Sequence, residues 1–148
     1  PIRQIAMNIQ TILVVCVGNI CRSPMAEYFL KNNHPNLNIE SAGLSAMSGH
    51  SADAKAIHCM DQLNIDMRPH IARQITAEMI KKSDLILVMS NNQKKHLEQT
   101  WSFAKGKVFR LGHWQNQNVP DPYQHDQAFF DETCRNIQKY VSDWQSHF

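Results

Sequence analysis

Thr11-Ile12-Leu13-Val14-Val15-Cys16-Val17-Gly18-Asn19-Ile20-Cys21-Arg22-Ser23-Pro24 is the stretch that decides the fold. The run from Thr11 to Val17 is almost wholly apolar and rich in β-branched residues, which is how a strand buried on both faces reads. Gly18-Asn19 breaks the run. Ser23 then offers an N-cap and Pro24 a first-turn proline for a helix over 25–32. A buried strand turning directly into a helix is the opening of a parallel α/β unit.

The same alternation continues outward. A second short strand is predicted over 38–41 and a helix over 53–63, with Ala52, Ala56, Cys59 and Leu63 as its apolar stripe. Thr76-Ala77-Glu78-Met79 reads as a helix start, and Leu85-Ile86-Leu87-Val88-Met89 as another buried strand. A polar helix over 92–99 and a short strand over 107–111 follow. From Gln127 onward, Phe130, Cys134, Ile137, Val141, Trp144 and Phe148 lie on one stripe of a long amphipathic helix. Strands alternating with helices predict a single-domain α/β fold, a parallel sheet covered on both faces. Ligands of such sheets bind beyond the carboxyl ends of the strands, where Cys16 and its loop fall.

Composition narrows the function. The chain has 148 residues, 43% of them apolar, which suits one ordinary globular domain. A formal charge of +2 is too small for a nucleic-acid footprint, and the pairs Lys81-Lys82 and Lys94-Lys95 read as solvated helix faces. No apolar run approaches the roughly 18 residues of a membrane span. The four cysteines follow neither a disulfide framework nor zinc-ligand spacing, so free thiols of a reducing cytoplasm are predicted, with no metal and no cofactor. Cys59 and Cys134 lie on apolar stripes and read as core thiols. Residues 1–6 precede Met7 and read as an expression remnant or N-terminal extension, leaving 7–148 as the domain.

The loop from Cys16 to Arg22 carries the chemistry. Backbone N–H groups turned inward ahead of a helix N-terminus make an anion cradle. Gly18 is expected to take a backbone conformation closed to other residues, and Arg22 can hold two phosphate oxygens on its planar fork. A cysteine at the mouth of that cradle feels the same field, which favours its thiolate. Cys16 is therefore a candidate nucleophile facing a bound phosphate, with Ser23 able to hydrogen-bond its sulfur. The leaving group needs a proton, and Asp121, held between Pro120 and Pro122, is the candidate donor. Tyr123 offers an aromatic wall. Cys21 reads either as a packed thiol or as a reversible disulfide partner of Cys16 under oxidant.

Cys16 to Pro24, C-V-G-N-I-C-R-S-P, together with Asp121-Pro122-Tyr123, resembles the low-molecular-weight protein tyrosine phosphatase family. Glu40-Ser41-Ala42-Gly43, the segment from His70 to Ile75 and the segment from Ser83 to Met89 extend the likeness over nearly all the chain after Met7. The resemblance implies a Rossmann-like three-layer sandwich of the phosphotyrosine phosphatase I type, with a four-stranded parallel sheet. It implies Cys16 as nucleophile, Arg22 as phosphate clamp, Ser23 as sulfur partner and Asp121 as acid and base. Val17, Gly18, Asn19, Ile20 and Cys21 would complete the phosphate loop, with Asn19 bonded to Ser41 and His70. Leu44 and Tyr123 would line the substrate cleft, whose wall at Leu44-Ser45-Ala46-Met47 lacks the large aromatic of many eukaryotic members.

Gly112-His113-Trp114 and the short tail resemble the bacterial branch associated with capsule and exopolysaccharide export. The partner implied is a phosphotyrosine protein, an autophosphorylating tyrosine kinase of the inner membrane, met by a cytoplasmic monomer that does not itself insert in the membrane. Other functions fit the scaffold less well. An arsenate reductase needs further relay cysteines, and Ser90-Asn91-Asn92 supplies none. A protein-arginine phosphatase tends to carry a smaller polar residue in place of Ile20, and a silent phosphotyrosine-binding module would not need Cys16, Arg22 and Asp121 together.

Overall fold

The computed structural model describes residues 9–148, so the expectation for residues 1–6 lies outside the described residues. The elements alternate as predicted: β1 (Thr11–Cys16), α1 (Arg22–Asn33), β2 (Asn38–Gly43), α2 (Ala54–Asp61), α3 (Ala77–Lys82), β3 (Leu85–Val88), α4 (Asn91–Thr100), β4 (Val108–Arg110) and α5 (Gln127–Trp144). The strands form one four-stranded sheet in the order β2-β1-β3-β4, with every pairing parallel.

The pleat of β1 assigns its side chains to two cores. Ile12, Val14 and Cys16 point to one face, under α1, α2 and α5; Leu13 and Val15 point to the other, under α3 and α4. Burying each such aliphatic side chain contributes about 1.5–3 kcal/mol, which is why a run with no polar alternation takes the central position. The chain leaves β1 toward β2 on one side and returns to β3 on the other. The strand order therefore reverses beside β1, and the crevice beyond its carboxyl end is the topological switch point.

Two local expectations are corrected. α1 starts at Arg22, earlier than the Ser-Pro signal implies, and Cys21 at its cap makes no side-chain cap hydrogen bond. Ser23 sits inside the first turn with its hydroxyl turned to Cys16 instead of to the helix amides. Pro24 fits the same turn because an N–H there has no intrahelical partner to lose. Leu63 is 41% exposed, because α2 ends at Asp61 and its stripe stops with it. In α5 the stripe is as expected: Phe130, Ile137, Val141 and Trp144 are fully buried, and the helix is capped by Asp126, whose carboxylate accepts from Phe129 N–H.

Candidate active site

Cys16 ends β1, buried, with its Sγ 2.9 Å from Ser23 Oγ. The loop from Val17 to Cys21 curls above it into the first turn of α1. Asn19 holds that curl. It takes the left-handed conformation, φ 61°, and is fully buried. Its amide donates to Ser23 Oγ at 2.8 Å and to Ser41 Oγ at 2.9 Å, while its side-chain oxygen accepts from Arg73 N–H at 3.0 Å. Its carbonyl meets His70 Nε2 at 2.7 Å. These bonds offset the cost of a non-glycine residue at positive φ. Because Ser23 Oγ accepts from Asn19, its own proton is free to point at the sulfur.

Gly18 does not do what its residue type implies. The left-handed position is Asn19, and a Cβ built on Gly18 would meet nothing nearer than Met47 Cγ at 3.7 Å. Beside this loop, the glycine that space demands is Gly43, where a Cβ would lie 2.5 Å from the Val17 carbonyl. Gly43 lets the end of β2 pass directly beneath the loop.

Arg22 is 5% exposed, and its guanidinium donates to the Val119 carbonyl at 2.9 Å. Its other terminal nitrogen lies 3.7 Å from Asp121 Oδ2. Asp121 is half exposed, and its Oδ1 accepts from Tyr123 N–H at 3.1 Å, an Asx turn that fixes the carboxyl relative to the neighbouring ring. A cavity of about 160 Å³ separates the two halves, lined by the whole loop from Cys16 to Arg22 with Asp121, Tyr123, Ser45 and Met47. The structure thus brings together Cys16, Val17, Gly18, Asn19, Ile20, Cys21, Arg22, Asp121 and Tyr123 around one space, with Ser23, Ser41 and His70 behind it.

Leu44 is not at that cavity. Its side chain packs on the opposite core, with Leu13, Val15 and Ile75, while its N–H bonds the Cys16 carbonyl at 2.9 Å. β2 ends at Gly43 and the chain turns at Leu44-Ser45, which leaves Leu44 on that core; Ser45 and Met47 line the cleft instead.

Two supports escaped the sequence reading. Glu27 is buried on α1, accepts from the Ser41 hydroxyl, pairs with Lys31 Nζ at 2.6 Å and lies 3.9 Å from His70 Nδ1. Arg73 adds a donor to the Ser41 carbonyl at 3.0 Å besides its N–H bond to Asn19. A glutamate four residues past Ser23, on the same helix face, was the available signal for the first. Arg73 had none, since its partners are distant in the chain.

Burial, reinforced by Asp53, raises the Cys21 thiol well above its ordinary range, so it stays protonated beside the cradle. Cys59 and Cys134 are buried between α2 and α5, the former against the Asp131 carboxylate at 3.1 Å and the latter against Met60 Sδ at 3.7 Å. Among the described residues no three metal-ligating side chains cluster, and no helix is long and apolar enough to cross a membrane.

Comparison with known proteins identifies the family. Residues 11–147 match the family model described as low molecular weight phosphotyrosine protein phosphatase. The chain is 67% identical over 141 residues to the low molecular weight protein-tyrosine-phosphatase Ptp of Acinetobacter johnsonii, covering 95% of this chain and 99% of that one. Among solved structures, the Erwinia amylovora tyrosine phosphatase AmsI is 38% identical with a TM-score of 0.90, covering 93% of this chain and 91% of that one. Vibrio vulnificus Wzb in complex with benzylphosphonate is 34% identical with a TM-score of 0.92, covering 95% of this chain and all of that one, 100%. On these matches the chain belongs to the low molecular weight phosphotyrosine protein phosphatase family and is a protein-tyrosine phosphatase.

Proposed function

We propose that residues 7–148 form the catalytic unit and that Cys16, Arg22 and Asp121 carry out the hydrolysis through a phosphocysteine. The observation that carries this reading is the placement of Cys16 Sγ at the floor of a small cavity whose rim holds Arg22 and, 3.7 Å from it, Asp121. The loop amides and the Arg22 guanidinium bind the phosphate oxygens, and the Cys16 thiolate attacks phosphorus in line. The S–P bond forms as the P–O bond to the phenol breaks, and Asp121 gives its proton to the departing oxygen. The Asp121 carboxylate then takes a proton from the water that attacks the phosphocysteine. Ser23 donates to the sulfur as it leaves, and inorganic phosphate is released.

Benzylphosphonate, bound by the Vibrio vulnificus relative, carries a phenyl ring one methylene away from its phosphonate, and the apolar walls here suit such a ring: Ile20, Val17, Met47 and Tyr123. The substrate assigned is phosphotyrosine on a protein, an inner-membrane tyrosine autokinase of capsule or exopolysaccharide export, met by a cytoplasmic monomer. Its support is the resemblance carried by Gly112-His113-Trp114 and relatives that bear the names EpsP, Wzb and AmsI.

Turnover of 4-nitrophenyl phosphate and of a phosphotyrosine peptide tests the assignment. Cys16→Ser should abolish turnover of both while still binding vanadate. Asp121→Asn should lower kcat on the peptide by roughly 10²–10⁴, the usual worth of a positioned acid. An Asp121→Asn enzyme fully active on the peptide removes Asp121 from the mechanism.

A further inference from the structure

The segment that carries Asp121 is exposed over most of its length. Pro120, Asp121 and the run from Tyr123 to Asp126 all face solvent, and only Pro122 is buried. Upstream it is well anchored, since Val119 N–H bonds the Met89 carbonyl at 2.8 Å and Val119 O accepts from Arg22. Downstream it closes on itself: His125 N–H bonds Pro122 O at 2.9 Å across Gln124, which sits at φ 66°. Asp126 then caps α5, so the turn is tied at its two ends and bridges the gap between them.

Apart from the Arg22–Asp121 pairing and the α5 amides of Phe129 and Phe130 that bond Asp126, one hydrogen bond reaches residues 120–126 from another element among the described residues. Lys55, in the first turn of α2, donates from Nζ to the His125 carbonyl at 2.6 Å. The same ammonium lies over the Phe130 ring, 5.7 Å from its centroid. The Lys55 carbonyl accepts from Gln127 Nε2 at 3.0 Å, so the tie is made in both directions. The base of Lys55 is fixed as well. Asp53 caps α2 by accepting from Lys55 N–H at 2.9 Å, and Asp53 N–H bonds the Ile20 carbonyl in the phosphate loop at 2.9 Å. The first turn of α2 thus spans from the nucleophile's loop to the acid's loop.

We propose that Lys55 is a positioning residue for the proton donor: by holding the His125 carbonyl it sets the distance between the Asp121 carboxyl and the phosphate cradle. The proposal rests on Asp121 being the acid. A charge-assisted hydrogen bond is the stronger kind, and a displacement of about 1 Å at a catalytic group can cost on the order of 10²-fold. Lys55 touches neither substrate nor sulfur. Its effect should therefore appear where protonation of the leaving group limits the reaction, and not where phosphate is bound.

The test compares Lys55→Met, which keeps the aliphatic stem and removes the donor, with Lys55→Arg, which restores one, and with Asp121→Asn. The readouts are kcat/KM on phenyl, 4-nitrophenyl and 2,4-dinitrophenyl phosphate and the inhibition constant of vanadate. Lys55→Met should lose about tenfold on phenyl phosphate and less than about twofold on the dinitrophenyl ester, with vanadate inhibition changed by less than about twofold. Lys55→Arg should recover most of the loss. An equal loss across the three esters, no loss, a parallel weakening of vanadate, or a Lys55→Arg enzyme that behaves like Lys55→Met each overturns the proposal. Asp121→Asn separates the two readings. If it loses selectively on phenyl phosphate and Lys55→Met does not, only the role of Lys55 falls; if Asp121→Asn shows no leaving-group dependence, the donor assignment itself falls.

Discussion

Asn19, Gly18 and Gly43 show what a single residue's type can and cannot tell. A glycine in an anion-binding turn invites the inference of a special backbone angle, yet the special angle belongs to its neighbour Asn19, and the real steric demand lies at Gly43, where β2 runs under the loop. Two substitutions separate these roles. Gly18→Ala should leave stability and turnover nearly unchanged, since the new methyl finds ordinary contact distances. Gly43→Ala must push apart the Val17 carbonyl and Ala46, and should lower the free energy of urea unfolding by about 1–3 kcal/mol while weakening phosphate inhibition. A loss in Gly18→Ala as large as that in Gly43→Ala would return the constraint to Gly18. Cys16, Arg22 and Asp121, which the structure gathers at one cavity, were legible as a group because their signals are local: a cysteine ending a buried strand, a planar fork and a carboxyl between prolines. Ser41 and His70 were readable only through resemblance. Glu27, Arg73 and Lys55 stayed hidden because their partners are chosen by packing, and Leu44 was misplaced because side-chain direction depends on where the strand stops alternating.

At the scale of elements, the four strands and the longer helices announced themselves because β1 and β3 are buried on both faces and α5 carries an unbroken apolar stripe. The start of α1 did not, since the residues that normally cap a helix are engaged by the sulfur and by Asn19. α5 has a structural duty beyond covering the sheet: it packs on both α1 and α2, the helices that carry the cradle and Lys55. Ile137 is fully buried at the middle of that contact. Ile137→Ala should cost about 2–5 kcal/mol in urea unfolding, with kcat/KM of the folded fraction little changed. A large loss of kcat/KM without loss of stability would mean that α5 acts on the site directly.

The whole molecule carries a pH dependence separate from catalysis. His34, at the end of α1, packs edge-on against Phe148 with ring centroids 5.1 Å apart, and its Nε2 is buried without a hydrogen-bond partner among the described residues. Burial lowers its pKa below the value near 6.5 of an unfolded chain. The unfolded state then binds the proton more readily, so stability rises with pH, and it is lost progressively as pH falls through about 6.5 toward the folded value. The thermal midpoint should drop between about pH 7.5 and 5.5, and His34→Phe, which keeps a ring against Phe148, should drop less. An identical drop would place the acid sensitivity in other groups.

The order in which the chain is made gives the position of α5 a further meaning. Cys16 and Arg22 leave the ribosome early, Asp121 late, and the helix that packs on both α1 and α2 later still. A polypeptide cut short before Gln127 would own every atom needed to grip a phosphorylated partner, yet Phe29, Met60 and Ile12 would lie open to water for want of their cover. Quality-control proteases attack such exposed apolar surface. Broken messages should therefore yield degraded fragments, not defective traps that sequester phosphoproteins and never release them.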